Sequence, residues 1–172
     1  TYNDEAFDRL RCLADFFLHH NREIVTRVDD SVARVMGGRP RLLRRARGYS
    51  PVPILLRRPT QDILACGAEM KNSFCLVRRG EAYLSQHIGE LTGPESLDFY
   101  RESITHLQGV LEVAPPQVAC DLHPDYLSSR HARALGLPCS GIQHHHAHVG
   151  AVLAEQGLDG PVLGLVLDGT GY

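Results

Sequence analysis

The chain has 172 residues, 43% of them hydrophobic and 22% charged, with a formal net charge of -2. That balance supports a real core and excludes a disordered chain. No apolar run is long enough to cross a bilayer, no signal-peptide pattern opens the chain, and five cysteines without a CxxC pair signal neither a disulfide framework nor a zinc finger. The expected setting is a reducing cytoplasm, with no membrane partner.

The length permits one large domain or parts of two. The opening at Thr1, in place of a methionine, and the stop at Tyr172 inside a glycine-rich turn lead us to expect a piece of a longer protein. Charge is unevenly shared: residues 1–60 hold twelve arginines against seven acids, and the rest holds six basic against thirteen acidic residues. Such a switch predicts two units, the first built to meet anions. The planar fork of arginine suits phosphate, and no nucleic-acid partner is expected.

In chain order, apolar residues at helical spacing predict a helix over residues 4–19. EIVTRV (23–28) reads as a strand by its β-branched alternation, and Val32–Met36 as another, turned by Gly37 and Gly38. The Arg- and Pro-rich stretch RPRLLRRARGYSPVPI, with Pro59 beyond it, is the best linker candidate, centred on 51–61. DILACG, SFCLVRRG and EAYLSQ follow as short strands. Residues 96–113 read as a helix introduced by Pro94, PQVACD as a strand, DYLSSRHARALG as a helix and PCSGIQ as a strand. HHHAHVGAVLAEQG reads as a helix closed by Gly157, and PVLGLVLDGTGY as an apolar strand entering a glycine-rich turn. Three strands followed by alternating helices and strands predict a mixed sheet covered by helices on both faces, an α/β fold with α+β elements. This is the ribonuclease-H-like order of a first lobe in the actin/sugar-kinase/Hsp70 superfamily.

Chemistry concentrates in five places. In QHHHAHV, a helix puts His144 and His148 four residues apart on one face, a spacing at which two imidazoles can ligate one metal; capping or ligand hydrogen bonding by the cluster is the alternative. His145 and His146 point elsewhere, to structural or substrate-contacting roles. In LVLDGTGY, Asp168 ends a strand where Gly169 and Gly171 let backbone amides approach an anion, and a simple Asp-Gly turn is the plainer reading. The hairpin CGAEMKNSF carries Lys71, the only lysine, beside Asn72 and Ser73. DLHPDYLSS offers His123 as an acid/base or ligand, or as an ordinary loop histidine. Asn21, Arg22, Arg27, Asp30, Ser31, Arg44, Arg45 and Arg47 group as a triphosphate site or a solvated basic face.

The order of these motifs is more specific than any one of them. HNREIVTRVDDSV followed by RRARGY resembles the end of the YrdC-like domain of HypF-type carbamoyltransferases. ACGAEMKNSFCLVRRGEAYLSQHIGEL, ACDLHPDYLSS, QHHHAHVGAVLAE and LVLDGTGY resemble the start of their Kae1-like domain. The resemblance covers essentially the whole chain, with residues 1–50 in the first domain, 51–61 as linker and 62–172 in the second.

It implies an enzyme of nickel–iron hydrogenase maturation. The YrdC-like domain makes carbamoyl adenylate from carbamoyl phosphate and Mg-ATP, and the Kae1-like domain transfers the carbamoyl group to the C-terminal cysteine of a HypE-type acceptor protein. By position, His144, His148 and Asp168 match the divalent metal site, zinc or iron, with Asp168 and His123 as the catalytic candidates. Asn21, Arg22, Ser31, Arg45, Arg47, Lys71, Asn72, Gly169 and Gly171 match the nucleotide and carbamoyl phosphate contacts. The family's acylphosphatase-like and zinc-finger segments, most of the YrdC-like domain and the second Kae1-like lobe are not in this chain, so it is expected to be inactive alone. An O-carbamoyltransferase, a tRNA threonylcarbamoyl transferase relative, and a non-catalytic metal- or phosphate-binding module are the alternatives.

Overall fold

A computed structural model describes residues 3–58 and 60–172; Thr1 and Pro59 of the expectations above lie outside them. Twelve elements follow in chain order: α1 (Asn3–Leu10), β1 (Val32–Met36), β2 (Arg39–Arg44), β3 (Ile54–Leu55), β4 (Ile63–Ala65), β5 (Cys75–Arg78), β6 (Glu81–Leu84), α2 (Pro94–Leu111), β7 (Val118–Asp121), α3 (Leu127–Ala134), β8 (Cys139–Ile142) and α4 (His144–Gln156).

The main sheet has six strands in the order β3-β6-β5-β4-β7-β8. β4, β5 and β6 form an antiparallel meander, and β7 and β8 add in parallel beside β4. The β5–β6 turn is Arg79-Gly80 with both residues at positive φ, 50° and 82°, the two-residue turn whose twist matches a hairpin. Gly37-Gly38 closes the separate β1–β2 hairpin in the same way, with φ of 58° and 73°.

α2 lies over this sheet because its apolar residues recur on one face: Tyr100, Ile104, Leu107 and Leu111 are all buried. Its start is locked by Pro94 at the first turn and by Ser96, whose hydroxyl donates 3.0 Å to the Gly93 carbonyl and accepts 3.3 Å from the Gly93 amide. The core joins that face to Leu64, Cys66, Phe74, Leu76, Leu91, Val118 and Cys120. Phe74 meets Tyr100 edge to face at a centroid distance of 5.8 Å.

Three expectations are corrected. The first helix stops at Leu10 instead of reaching residue 19. Beyond it the Phe17 ring turns back onto Phe7 at 4.8 Å, but Leu13 and Leu18 stay largely exposed, so the apolar face is too poorly covered to extend the helix, and propensity alone does not extend it. Residues 23–28 form no strand, and neither do residues 161–168. A strand persists only where its amides and carbonyls find a ladder, and no described segment pairs with either; Leu163, Leu165 and Leu167 stand in solvent. The Arg- and Pro-rich stretch supplies β2 and β3, with Pro40 tolerated on a two-stranded hairpin and Ile54–Leu55 pairing with β6 at the sheet edge. Among the described residues, no helix is long and apolar enough to cross a membrane.

The amino-terminal third is stapled to the sheet by specific contacts. Gln86 donates 2.6 Å to the Arg27 carbonyl, the His87 amide donates 2.7 Å to the Arg45 carbonyl, and the Arg27 guanidinium pairs with Glu102 while sitting 4.6 Å over the Phe99 ring.

Candidate functional site

The parallel strands β7 and β8 end side by side, with Asp121 opposite Ile142 in register. In open α/β sheets the crevice beyond such carboxyl ends is where ligands bind. Here β8 passes through Gln143 directly into α4. The Gln143 side chain accepts 2.8 Å from the His146 amide and caps the helix, so the histidine run occupies the first turns of α4 at the mouth of the crevice.

On that helix His144 and His148 face each other, their Nε2 atoms 3.2 Å apart. The chain then turns back after α4 and brings Asp168 to the same point: its Oδ2 lies 3.3 Å from His144 Nε2 and 3.8 Å from His148 Nε2. The backbone is pinned there by the His144 amide, which donates 3.1 Å to the Tyr172 carbonyl. Donor atoms around a tetrahedral cation at about 2.0–2.1 Å stand about 3.3–3.4 Å apart. Three edges of 3.2, 3.3 and 3.8 Å outline one face of such a polyhedron, with borderline nitrogen donors and a hard oxygen. The residues present therefore fit a divalent cation such as zinc or iron.

Two further side chains belong to this cluster. Asp121, with its side chain only 5% exposed, places Oδ2 2.7 Å from His144 Nδ1 and accepts 2.8 Å at Oδ1 from the His123 amide. His145, expected to point elsewhere, instead sets its Nε2 3.0 Å from Asp168 Oδ1. The signal for Asp121 was its place as the last residue of an apolar strand; for His145 no periodicity argument suffices, because its contact comes from the returning segment. Gly171 permits that return, since a Cβ there would run into the His145 ring.

His123 is close by. Its ring stacks on Tyr126 at 4.0 Å, meets the Tyr172 ring edge-on at 5.2 Å, and accepts 3.3 Å from the Asp125 amide at Nδ1. Desolvation and the nearby Asp121 and Glu69 push the Tyr126 hydroxyl above its ordinary range. Gly169 has open space around its Cα and leaves the backbone beside Asp168 accessible.

The predicted anion contacts divide. A cavity of about 1110 Å³ lies between the amino-terminal third and the hairpin side of the sheet, and Arg44, Arg47, Lys71 and His87 are among its walls. Burial, first, and the neighbouring Arg44 depress the His87 pKa. None of His123, His144, His148 and Asp168 lines this cavity, so the cavity and the histidine cluster are two separate places.

Several other candidates are engaged within the fold. Asn72 is buried and its amide donates to the Cys66 carbonyl at 3.1 Å and to the Ala68 carbonyl, holding the 66–74 connection closed. Ser31 donates 2.9 Å to the Arg47 carbonyl and accepts 2.8 Å from the Ala46 amide. Arg45 donates 2.8 Å to the Val52 carbonyl, and Arg47 pairs with Asp30 at 3.4 Å. Asn21 is exposed, and the Arg22 amide donates 3.1 Å to His20 Nδ1.

The sheet order, with an antiparallel meander continued by two parallel strands and helices between them, defines a ribonuclease-H-like lobe with a histidine–carboxylate cluster at its strand ends. The chain belongs to the HypF family: residues 58–155 match the HypF Kae1-like domain. It is 51% identical over 170 residues to Carbamoyltransferase HypF of Rhizobium leguminosarum bv. viciae, covering 99% of this chain and 22% of that protein. It is 45% identical over 172 residues to Carbamoyltransferase HypF of Synechocystis sp., again covering 99% of this chain and 22% of the relative. A crystal structure of full-length HypF in a phosphate- and nucleotide-bound form superposes with a TM-score of 0.94 at 45% identity, covering 99% of this chain and 27% of that one. T. kodakarensis HypF superposes with a TM-score of 0.89 at 41% identity, covering 100% and 23%. The chain thus spans less than a third of each of these relatives' length.

Proposed function

We propose that this chain is the junction of a carbamoyltransferase of nickel–iron hydrogenase maturation. In this reading residues 1–50 end a YrdC-like domain that forms carbamoyl adenylate from carbamoyl phosphate and Mg-ATP. Residues 51–61 are the linker, and residues 62–172 begin the Kae1-like domain that passes the carbamoyl group to the terminal thiol of a HypE-type acceptor in the cytoplasm. The observation that carries it is the convergence of His144, His148 and Asp168 within 4.8 Å of one another, in a chain whose relatives of 51% and 45% identity are named carbamoyltransferases.

His144, His148 and Asp168 would hold a divalent cation, zinc or iron. When bound there, it supplies Lewis acidity toward a phosphoryl or carbamoyl oxygen. The rest is done by the chain itself. His123 accepts the Asp125 amide at Nδ1, so a neutral ring carries its proton on Nε2 and presents a donor. Gly169 keeps a side chain away from the backbone beside Asp168, leaving room for a nucleotide phosphate, while Gly171 lets the backbone pass close against the His145 ring. Arg44, Arg47 and Lys71 would meet the anionic substrates from cavity walls that also carry Glu23, Asp29, Glu90 and Glu95, with Asn21 and Arg22 lying in sequence between the lining residues His20 and Glu23.

ATP–pyrophosphate exchange, measured with and without carbamoyl phosphate in the full-length protein containing this chain, tests the reading. Exchange that requires carbamoyl phosphate, followed by thiocarbamate on a HypE-type acceptor, is expected. Exchange independent of carbamoyl phosphate, or none, refutes it.

A further inference from the structure

We propose that Asp121 is a positioning residue that selects the tautomer of His144, and that its two carboxylate oxygens are both needed for this. The proposal deepens the reading of the histidine cluster as a cation site and rests on it.

Asp121 sits at the carboxyl end of β7 with its side chain 5% exposed, so both of its oxygens are satisfied by protein groups. Oδ1 accepts 2.8 Å from the His123 amide, and Oδ2 lies 2.7 Å from His144 Nδ1. A backbone amide can only donate, and an ionised carboxylate can only accept. In the neutral imidazole the proton is thereby drawn to Nδ1, and the lone pair is left on Nε2. It is Nε2 that faces His148 Nε2 at 3.2 Å and Asp168 Oδ2 at 3.3 Å. The strand end therefore aims the donor electron pair of His144 at the point where the other two candidate ligands converge, as outer-sphere carboxylates do for ligating histidines. The anchoring is rigid. The carboxylate is fixed on a strand, the Asp121 carbonyl accepts 2.9 Å from the buried Ser129 hydroxyl, and the His144 ring itself starts α4 directly behind β8.

Replacement by asparagine reverses the logic without changing the shape. Asn has one acceptor and one donor group where Asp has two acceptors. The His123 amide, an obligatory donor, claims the single oxygen, and the Asn NH₂ must then donate to His144 Nδ1. The ring proton moves to Nε2, and the atom that should hold a cation becomes a hydrogen-bond donor.

The test is the nitrogen spectrum of the His144 ring in the metal-free chain at alkaline pH, in the wild type and in Asp121→Asn, with circular dichroism as a check on folding. The wild type is expected to show Nδ1–H and a bare Nε2; the variant is expected to show Nε2–H. A proton on Nε2 in the wild type overturns the proposal, even if the variant does not fold, and so does an unchanged tautomer in a folded variant. Titration with Zn²⁺ against a chromophoric chelator is the second readout: Asp121→Asn is expected to bind at least about tenfold more weakly, and equal affinity in the two proteins overturns the proposal. If instead the wild type and His144→Ala bind Zn²⁺ alike, the cation-site reading fails, while the tautomer result still stands or falls by itself.

Discussion

The Tyr100 hydroxyl, on the buried face of α2, donates 2.9 Å to the carbonyl of Cys66, one residue past β4. That carbonyl also accepts from the Asn72 amide, so one oxygen ties the main helix and the 66–74 connection to the central strand. Tyr100→Phe removes a buried hydrogen bond but keeps the ring, and is expected to cost about 1 kcal/mol. Tyr100→Ala also empties the space between Phe74 and His131 and is expected to cost about 3–5 kcal/mol. Urea unfolding of the two variants checks the order; equal losses would mean that the ring contributes nothing.

Gly67 follows directly. Its φ is +70°, and a Cβ at that position would fall against the Ser73 carbonyl oxygen, which is backbone and cannot swing away. Gly67→Ala therefore combines left-handed strain with a steric clash and is expected to destabilise the chain by about 2 kcal/mol or more. Gly80→Ala, with similar φ but open space around it, is expected to cost less, about 1 kcal/mol. The difference between their thermal midpoints measures the clash.

Stability is expected to be flat near neutrality and to fall on both sides. Burial pushes the Cys66 and Cys75 thiols up to about 11, from an ordinary value of 9.0, and burial raises Tyr100 as well. Groups with raised folded-state pKa values stabilise the fold fully below their unfolded values and lose that contribution as pH rises through the folded ones, here between pH 9 and about 11. Each thiol contributes on the order of 2–3 kcal/mol. On the acid side, burial first, and Arg101 second, depress His131, and burial likewise depresses His87. Their contribution is present above the ordinary value of 6.5 and is lost as pH falls below it. Urea midpoints at about pH 5, 7.5 and 10.5 should peak at the middle value; a monotonic trend contradicts the assignment.

Much of this was legible in the sequence, for reasons that differ by element. α2 was readable because Tyr100, Ile104, Leu107 and Leu111 repeat at helical spacing, and the β5–β6 hairpin because Arg-Gly separates two apolar runs. The facing of His144 and His148 followed from helical geometry alone. What escaped depended on partners. EIVTRV and the run ending at Asp168 carry strand composition, yet composition does not supply the neighbouring strand. Asp121 and His145 escaped because their contacts join segments more than twenty residues apart. Nor did the sequence show that the buried Asn72 amide donates to the Cys66 carbonyl, or that the Ser31 hydroxyl bridges the Arg47 carbonyl and the Ala46 amide, because those bonds depend on the path of the surrounding loops.

Zinc stoichiometry measured by equilibrium dialysis tests most directly whether two imidazoles and one carboxylate share a cation. α4 has no buried residues, so His144→Ala with His148→Ala should leave the fold intact by circular dichroism. One Zn²⁺ per wild-type chain is expected, lost in the double variant and weakened in Asp168→Asn. A double variant that binds Zn²⁺ with wild-type stoichiometry and affinity would contradict the cation site.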